Sequence, residues 1–232
     1  MMSARRAIWA GIVGPLGFLA ISFAMAFLRP ELISSDGWTG WPSSMATGGM
    51  AGVPQVAAFL WLAGCYVVFS LFALRRMIPS RAAWVGFLVV ATGDLLLAFP
   101  TDGSAATGTS WHGALHACGV VVATSATLVA AAGVTVATRK DPRWRPWRWI
   151  GVPMASLAVV IGMAFGLNEG WAKLVYVLGV TLPVPLMAYL LLDRPRPAIR
   201  YRSFSSGRRS VSRADADAPQ PIADQEEPDS RQ

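Results

Sequence analysis

Six apolar blocks, each close to twenty residues long, follow one another between Ala7 and Leu192 of this 232-residue chain. No other feature narrows the fold as far. Coiled as a helix, a block of that length matches the ~30 Å hydrocarbon layer of a bilayer. A helix also pairs every backbone donor and acceptor without help from water. The blocks fall at about 7–28, 53–74, 82–99, 111–138, 149–167 and 171–192. Proline marks several of their ends: Pro30 after the first, Pro79 between the second and third, Pro100 after the third, and Pro142 and Pro146 before the fifth. Only 14% of the residues are charged and the mean hydropathy is +0.46, whereas soluble chains carry about a quarter charged residues. The sequence predicts an all-α membrane protein, a six-transmembrane-helix bundle, and excludes a water-soluble globule.

Charge placement sets an expected orientation. The formal net charge is +7, but the basic residues flank apolar blocks, which argues for topology and against a nucleic-acid partner. Eighteen of the twenty Lys and Arg lie before block one, between blocks two and three, between four and five, or after six, leaving only Arg29 and Lys173 for the other side. Both termini are therefore expected to be cytoplasmic, with the chain in the cell membrane as a multi-pass protein. Trp9, Trp84, Trp144, Trp147 and Trp149 mark the inner interface in this scheme, and Trp38, Trp41, Trp111 and Trp171 the outer. Block one with Ala24-Met25-Ala26 has the look of a signal peptide and cleavage site; its length favours a retained span. Cys65 and Cys118 both fall inside blocks and make no disulfide framework. Within residues 194–232, Arg194 to Arg213 carries seven arginines and no acid, and Asp215 to Asp229 six acids and no base, among several prolines, a composition expected to form a disordered cytoplasmic tail. The basic half reads as a stop-transfer anchor in preference to a lipid-binding patch released by serine phosphorylation.

Ionisable residues in or beside a membrane are costly enough to mark candidate sites. His112 and His116, the only two histidines, lie four apart on block four and share a helical face. Asp102 lies in the short preceding loop, and Asp94 about two turns deeper on block three. Two histidines and a carboxylate could hold a divalent metal with one position open. However, Gly113 stands where a metalloprotease-type helix carries its glutamate, and a hydrogen-bonded structural cluster explains the same residues more simply. Haem is not expected, because two histidines on one helix cannot grip opposite faces. Glu169 and Lys173 have the spacing of a helical ion pair, and Gln55 opens block two. Together Gln55, Asp102, His112, His116, Glu169 and Lys173 could line one polar cavity in the outer leaflet. Small residues in block four, Gly113, Ala117, Gly119, Ala123, Ser125 and Ala126, suggest close helix packing and a central position. No phosphate-binding glycine loop or nucleophile elbow is present. A transporter is disfavoured, because the sequence signals no discontinuous helix or inverted repeat.

The order of the blocks, with Phe99-Pro100-Thr101-Asp102 closing the third and Trp111-His112-Gly113-Ala114-Leu115-His116 opening the fourth, resembles domain-of-unknown-function family 998. Gly52-Val53-Pro54-Gln55 and Gly166-Leu167-Asn168-Glu169 support the likeness. The family's last motif usually reads Gly-Leu-x-Glu-Arg, whereas here Gly170-Trp171-Ala172 move the basic residue to Lys173. The resemblance covers residues 7–192 and implies a six-helix integral membrane protein with no defined activity. Two function classes follow. The first is a binding or regulatory protein whose cavity holds a membrane lipid headgroup, a small solute or a partner. The second is a membrane enzyme acting on a lipid, with His116 as base and Asp102 as its orienting carboxylate or third metal ligand.

Overall fold

Each helix begins and ends where local chemistry dictates. The computed structural model describes residues 3–31, 42–46, 49–99, 110–164 and 170–193, and no strand occurs among them. Helix α1 (Ala4–Leu28) starts at Ser3, whose hydroxyl accepts from the Arg6 N–H at 3.3 Å. Helix α2 (Val53–Phe69) has Pro54 in its first turn, where no intrahelical donor is needed. It continues through a wider π-type turn at Ser70–Leu74 into Arg75–Met77. There the Ser70 hydroxyl donates to the Trp84 carbonyl on α3 (Arg81–Leu97), which ties the two helices together. Ser80 caps α3 through the Ala83 N–H, and Ser110 caps α4 (Trp111–Thr138) through the Gly113 N–H. Such caps satisfy donors that would otherwise be orphaned. Along α4 the hydroxyls of Thr124, Thr127, Thr135 and Thr138 bond the carbonyl four residues back, so none faces an apolar phase unpaired. Arg148 donates to the carbonyls of Thr138 and Asp141 and so closes the far end of α4.

Proline shapes the remaining helices. Before α5 (Val152–Ala164) the Val152 N–H reaches back five residues to Trp147, next to Pro153, which has no N–H to offer. The last apolar block is not one helix. It divides at Leu182 into α6 (Gly170–Thr181) and α7 (Pro183–Leu192), because Pro183 and Pro185 each remove a donor. The expected sixth span keeps its length, since Gly170–Leu192 remains one apolar segment long enough to cross a membrane, with its helical bonding interrupted at Leu182. Elsewhere the helices match the expected blocks closely, with block five running only to Ala164 among the described residues.

Neighbouring helices pack around a circuit from α1 to α2, α3 and α4, then from α5 to α6, and back from α7 to α1. Small residues set the closest seams. Gly86 faces Ala130, Gly93 faces Ala123, and Gly119 abuts the Gly93 carbonyl between α3 and α4. Gly14 meets Cys65 between α1 and α2, and Gly179 meets Ala158 between α5 and α6. Phe69 and Tyr66 pack edge-on against Phe87, joining α2 to α3. Helix α4 is not central as expected. Its small residues form one stripe against α3, and Val121, Val129 and Val136 project outward on the other side. Helix α2 is the most enclosed of the long helices.

Outward-facing side chains are apolar around the bundle, among them Val13, Leu60, Val89, Val129, Leu157 and Tyr189. Water would not tolerate such a surface over a monomer, and lipid would. Five helical segments are long and apolar enough to cross a membrane: Ala4–Leu28, Met50–Met77, Trp111–Thr138, Pro142–Ala164 and Gly170–Leu192. Helix α3, with 17 residues, is the shorter exception. The contact pattern divides the chain between Arg194 and Pro195. Every described residue belongs to the first unit, so the expected tail lies outside the described residues, as do Asp102 and Glu169.

Candidate ligand cavity

Helix packing fixes the relative levels of the residues that matter. Helices α3 and α4 run antiparallel, with Gly93 beside Ala123, Leu96 beside Gly119, and the Phe99 carbonyl bonded to His116. Asp94 therefore lies level with residues near 121 on α4. Helix α6 runs parallel to α4, since both begin at the end of the bundle where α3 finishes. The two are joined by a hydrogen bond between Thr124 and Tyr176. One turn back from that bond toward the helix starts lies Lys173 on α6, again level with residue 121. Asp94 and Lys173 thus stand at similar depth on different helices.

A cavity of about 320 Å³ occupies the space between them. It falls at the lower end of the roughly 300–1,000 Å³ typical of small-molecule sites. Phe18, Phe59, Leu62, Val90, Val120 and Val177 supply apolar wall. The polar groups are few: Ser43, Tyr66, Asp94, His116, Thr124, Thr127, Lys173, Tyr176 and Thr181. An apolar chamber with a handful of polar groups is the usual make-up of a ligand site.

His116 is fixed at the upper end, where α2, α4 and α6 begin. Its Nδ1 lies 3.1 Å from the Phe99 carbonyl and its Nε2 2.9 Å from Ser43 Oγ. A carbonyl only accepts, so Nδ1–H donates to it, and in the neutral ring Nε2 accepts from the Ser43 hydroxyl. Phe59 packs edge-on to the ring with centroids 6.3 Å apart. These contacts hold the short Ser43–Ala46 turn over the helix ends.

Two of the expected site residues, His116 and Lys173, line this cavity. His112 does not. Its Nδ1 lies 2.7 Å from Ser110 Oγ, and its ring packs beside Trp111, so it belongs to the cap of α4. Gln55 is also off the wall. It is fully buried between helices, donating from Nε2 to Ser22 Oγ on α1 at 3.0 Å, while its Oε1 finds no partner. A first-turn amide facing a neighbouring helix bonds that helix before it can reach a cavity. Among the described residues no three His, Cys, Asp or Glu side chains gather as a metal site would. The expected metal set depended on Asp102, which lies outside the described residues.

Asp94 was missed as a site residue. It is 5% exposed, faces the cavity, and its Oδ2 has no hydrogen-bond partner. The available signal was its position, because it is the only acidic residue inside any of the six apolar blocks. Tyr66 and Tyr176 were also missed, both being mid-helix hydroxyls that line the same space. Comparison with protein-family models, curated proteins and solved structures found no match to this chain.

Proposed function

We propose that this chain is a multi-pass integral protein of the cell membrane whose cavity takes a membrane lipid or a small amphiphile. Six spans form its bundle, with α3 as the sixth, and both termini are cytoplasmic, residues 194–232 forming the tail. The observation that carries the binding role is the chamber itself: apolar walls, with Asp94, His116 and Lys173 as its ionisable groups. Apolar walls suit an acyl chain, and isolated polar groups then select the head that accompanies it. Helix α3 supports its place as a span. Its 17 residues rise about 25 Å at ~1.5 Å per residue, within the usual range for crossing helices. The lopsided Lys and Arg distribution supports the orientation. Membership of domain-of-unknown-function family 998 is part of this proposal and rests on the sequence motifs alone, since no family model matches.

Native mass spectrometry of the full chain, extracted from membranes in a neutral detergent, tests the reading. A co-purifying amphiphile is expected on the wild-type protein. Val120→Trp, which fills the chamber from α4, should remove it while leaving the thermal midpoint within a few degrees of wild type. Equal retention by both proteins, or none on the wild type, refutes the cavity as a binding site.

A further inference from the structure

Two side chains able to carry opposite charges line one apolar chamber and form no ion pair with each other. Asp94 is buried and its Oδ2 is unpartnered. Lys173 lines the same space. Neither residue makes an ion pair among the described residues. Their levels agree, as the seams between α3 and α4 and the Thr124–Tyr176 bond require. That bond also holds α4 and α6 at a fixed spacing, which keeps the chamber from collapsing on the two charges.

A neutral occupant would leave both groups desolvated and uncompensated. A simple anion would answer Lys173 and confront Asp94, and a simple cation would do the reverse. Charges kept out of water must be paired to persist. Aromatic faces add a further bias, since Phe18, Phe59, Tyr66 and Tyr176 border the chamber, and π faces attract ammonium groups. We propose that the occupant is a zwitterion, with its ammonium group against Asp94 and its phosphate or carboxylate against Lys173. This rests on the cavity reading above and adds the chemical class of the ligand. The same pairing of charges occurs in an amine-bearing lipid headgroup and in a free solute of that kind.

The test uses the purified full chain in a neutral maltoside detergent, with affinities measured by native mass spectrometry. Four single-tailed probes of equal chain length are compared: lysophosphatidylethanolamine, lysophosphatidic acid, a long-chain alkylamine and a monoacylglycerol. A fifth probe, phosphoethanolamine, has the zwitterion and no tail. Lysophosphatidylethanolamine should bind at least about tenfold more tightly than any of the other three amphiphiles, the scale of one charge-assisted hydrogen bond. Asp94→Asn should erase its advantage over lysophosphatidic acid, and Lys173→Gln its advantage over the alkylamine. Competition by phosphoethanolamine at similar affinity identifies a free solute, and its failure to compete identifies a lipid headgroup; both support the zwitterion. Equal binding of all four amphiphiles overturns the zwitterion and leaves the cavity reading standing. Binding of none, the neutral one included, overturns the cavity reading as well. Thermal midpoints without added amphiphile supply a separate check. If Asp94→Asn, Lys173→Gln and the double variant all lower the midpoint by the same amount, the two residues pair directly and the proposal fails.

Discussion

Replacing Gly93 by alanine tests whether the seam between α3 and α4 is as tight as it looks. A Cβ built at Gly93 would lie 2.7 Å from the Ala123 backbone nitrogen and 2.9 Å from its Cα. Ordinary contact begins at 3.4 Å, so the helices must part by at least about 0.7 Å. The obstructing atoms are backbone and cannot rotate away. A gap of that size forfeits roughly a quarter to a half of each dispersion contact across it. Overpacking of this kind costs ~1–3 kcal/mol, offset by about 1 kcal/mol from alanine's better helix propensity. The net expectation is a loss of up to about 2 kcal/mol. Gly64 provides the matched control. A Cβ there meets nothing within 4 Å, so Gly64→Ala should gain up to about 1 kcal/mol from the same propensity term. In detergent the two variants should differ in thermal midpoint by up to roughly 10 °C, with Gly93→Ala below wild type and Gly64→Ala at or above it. Equal midpoints for the two would show that α3 and α4 have slack at Gly93, and the contact argument would fail.

Reporter fusions after Gln232 and within residues 103–109 should read opposite sides of the membrane, because eighteen of the twenty Lys and Arg fall on the predicted inner side; the same side for both would refute the orientation. Ser22→Ala should cost about 1 kcal/mol by orphaning the buried Gln55 amide. The double change with Gln55→Leu should recover much of that loss in thermal-midpoint measurements, since no buried Gln55 amide is then left unpaired.

Much of the fold was legible because lipid imposes coarse rules. Block length and proline position are local signals, and they located the ends of most helices. The site was less legible because lining a cavity is a rotational property. Sequence spacing showed that His112 and His116 share a face of α4, but Ser110 draws His112 into the helix cap one turn above the chamber. Gln55 sat at the expected level and turned toward Ser22. Asp94 was noticed as intramembrane, yet its direction toward the chamber depends on Gly93 and Gly119 pressing α3 onto α4. The division of the last block at Leu182 was readable in Pro183 and Pro185, and its apolar continuity concealed it.

The unequal lengths of α3 and α4 have a consequence for the surrounding bilayer. Helix α4, with 28 residues, rises about 42 Å, while α3 beside it rises about 25 Å. Val85, Val89 and Leu95 of α3 face outward, so acyl chains on that flank must cover a shorter apolar strip than those around α4. In the proposed six-span arrangement the leaflets thin locally there, and each ångström of misfit costs a fraction of a kcal/mol. Hydrocarbon thickness thereby becomes a variable of stability for this protein. In vesicles of graded acyl length its thermal midpoint should peak at chains matched to α3 and decline in thicker bilayers, a preference that would distribute the protein among membranes of different thickness.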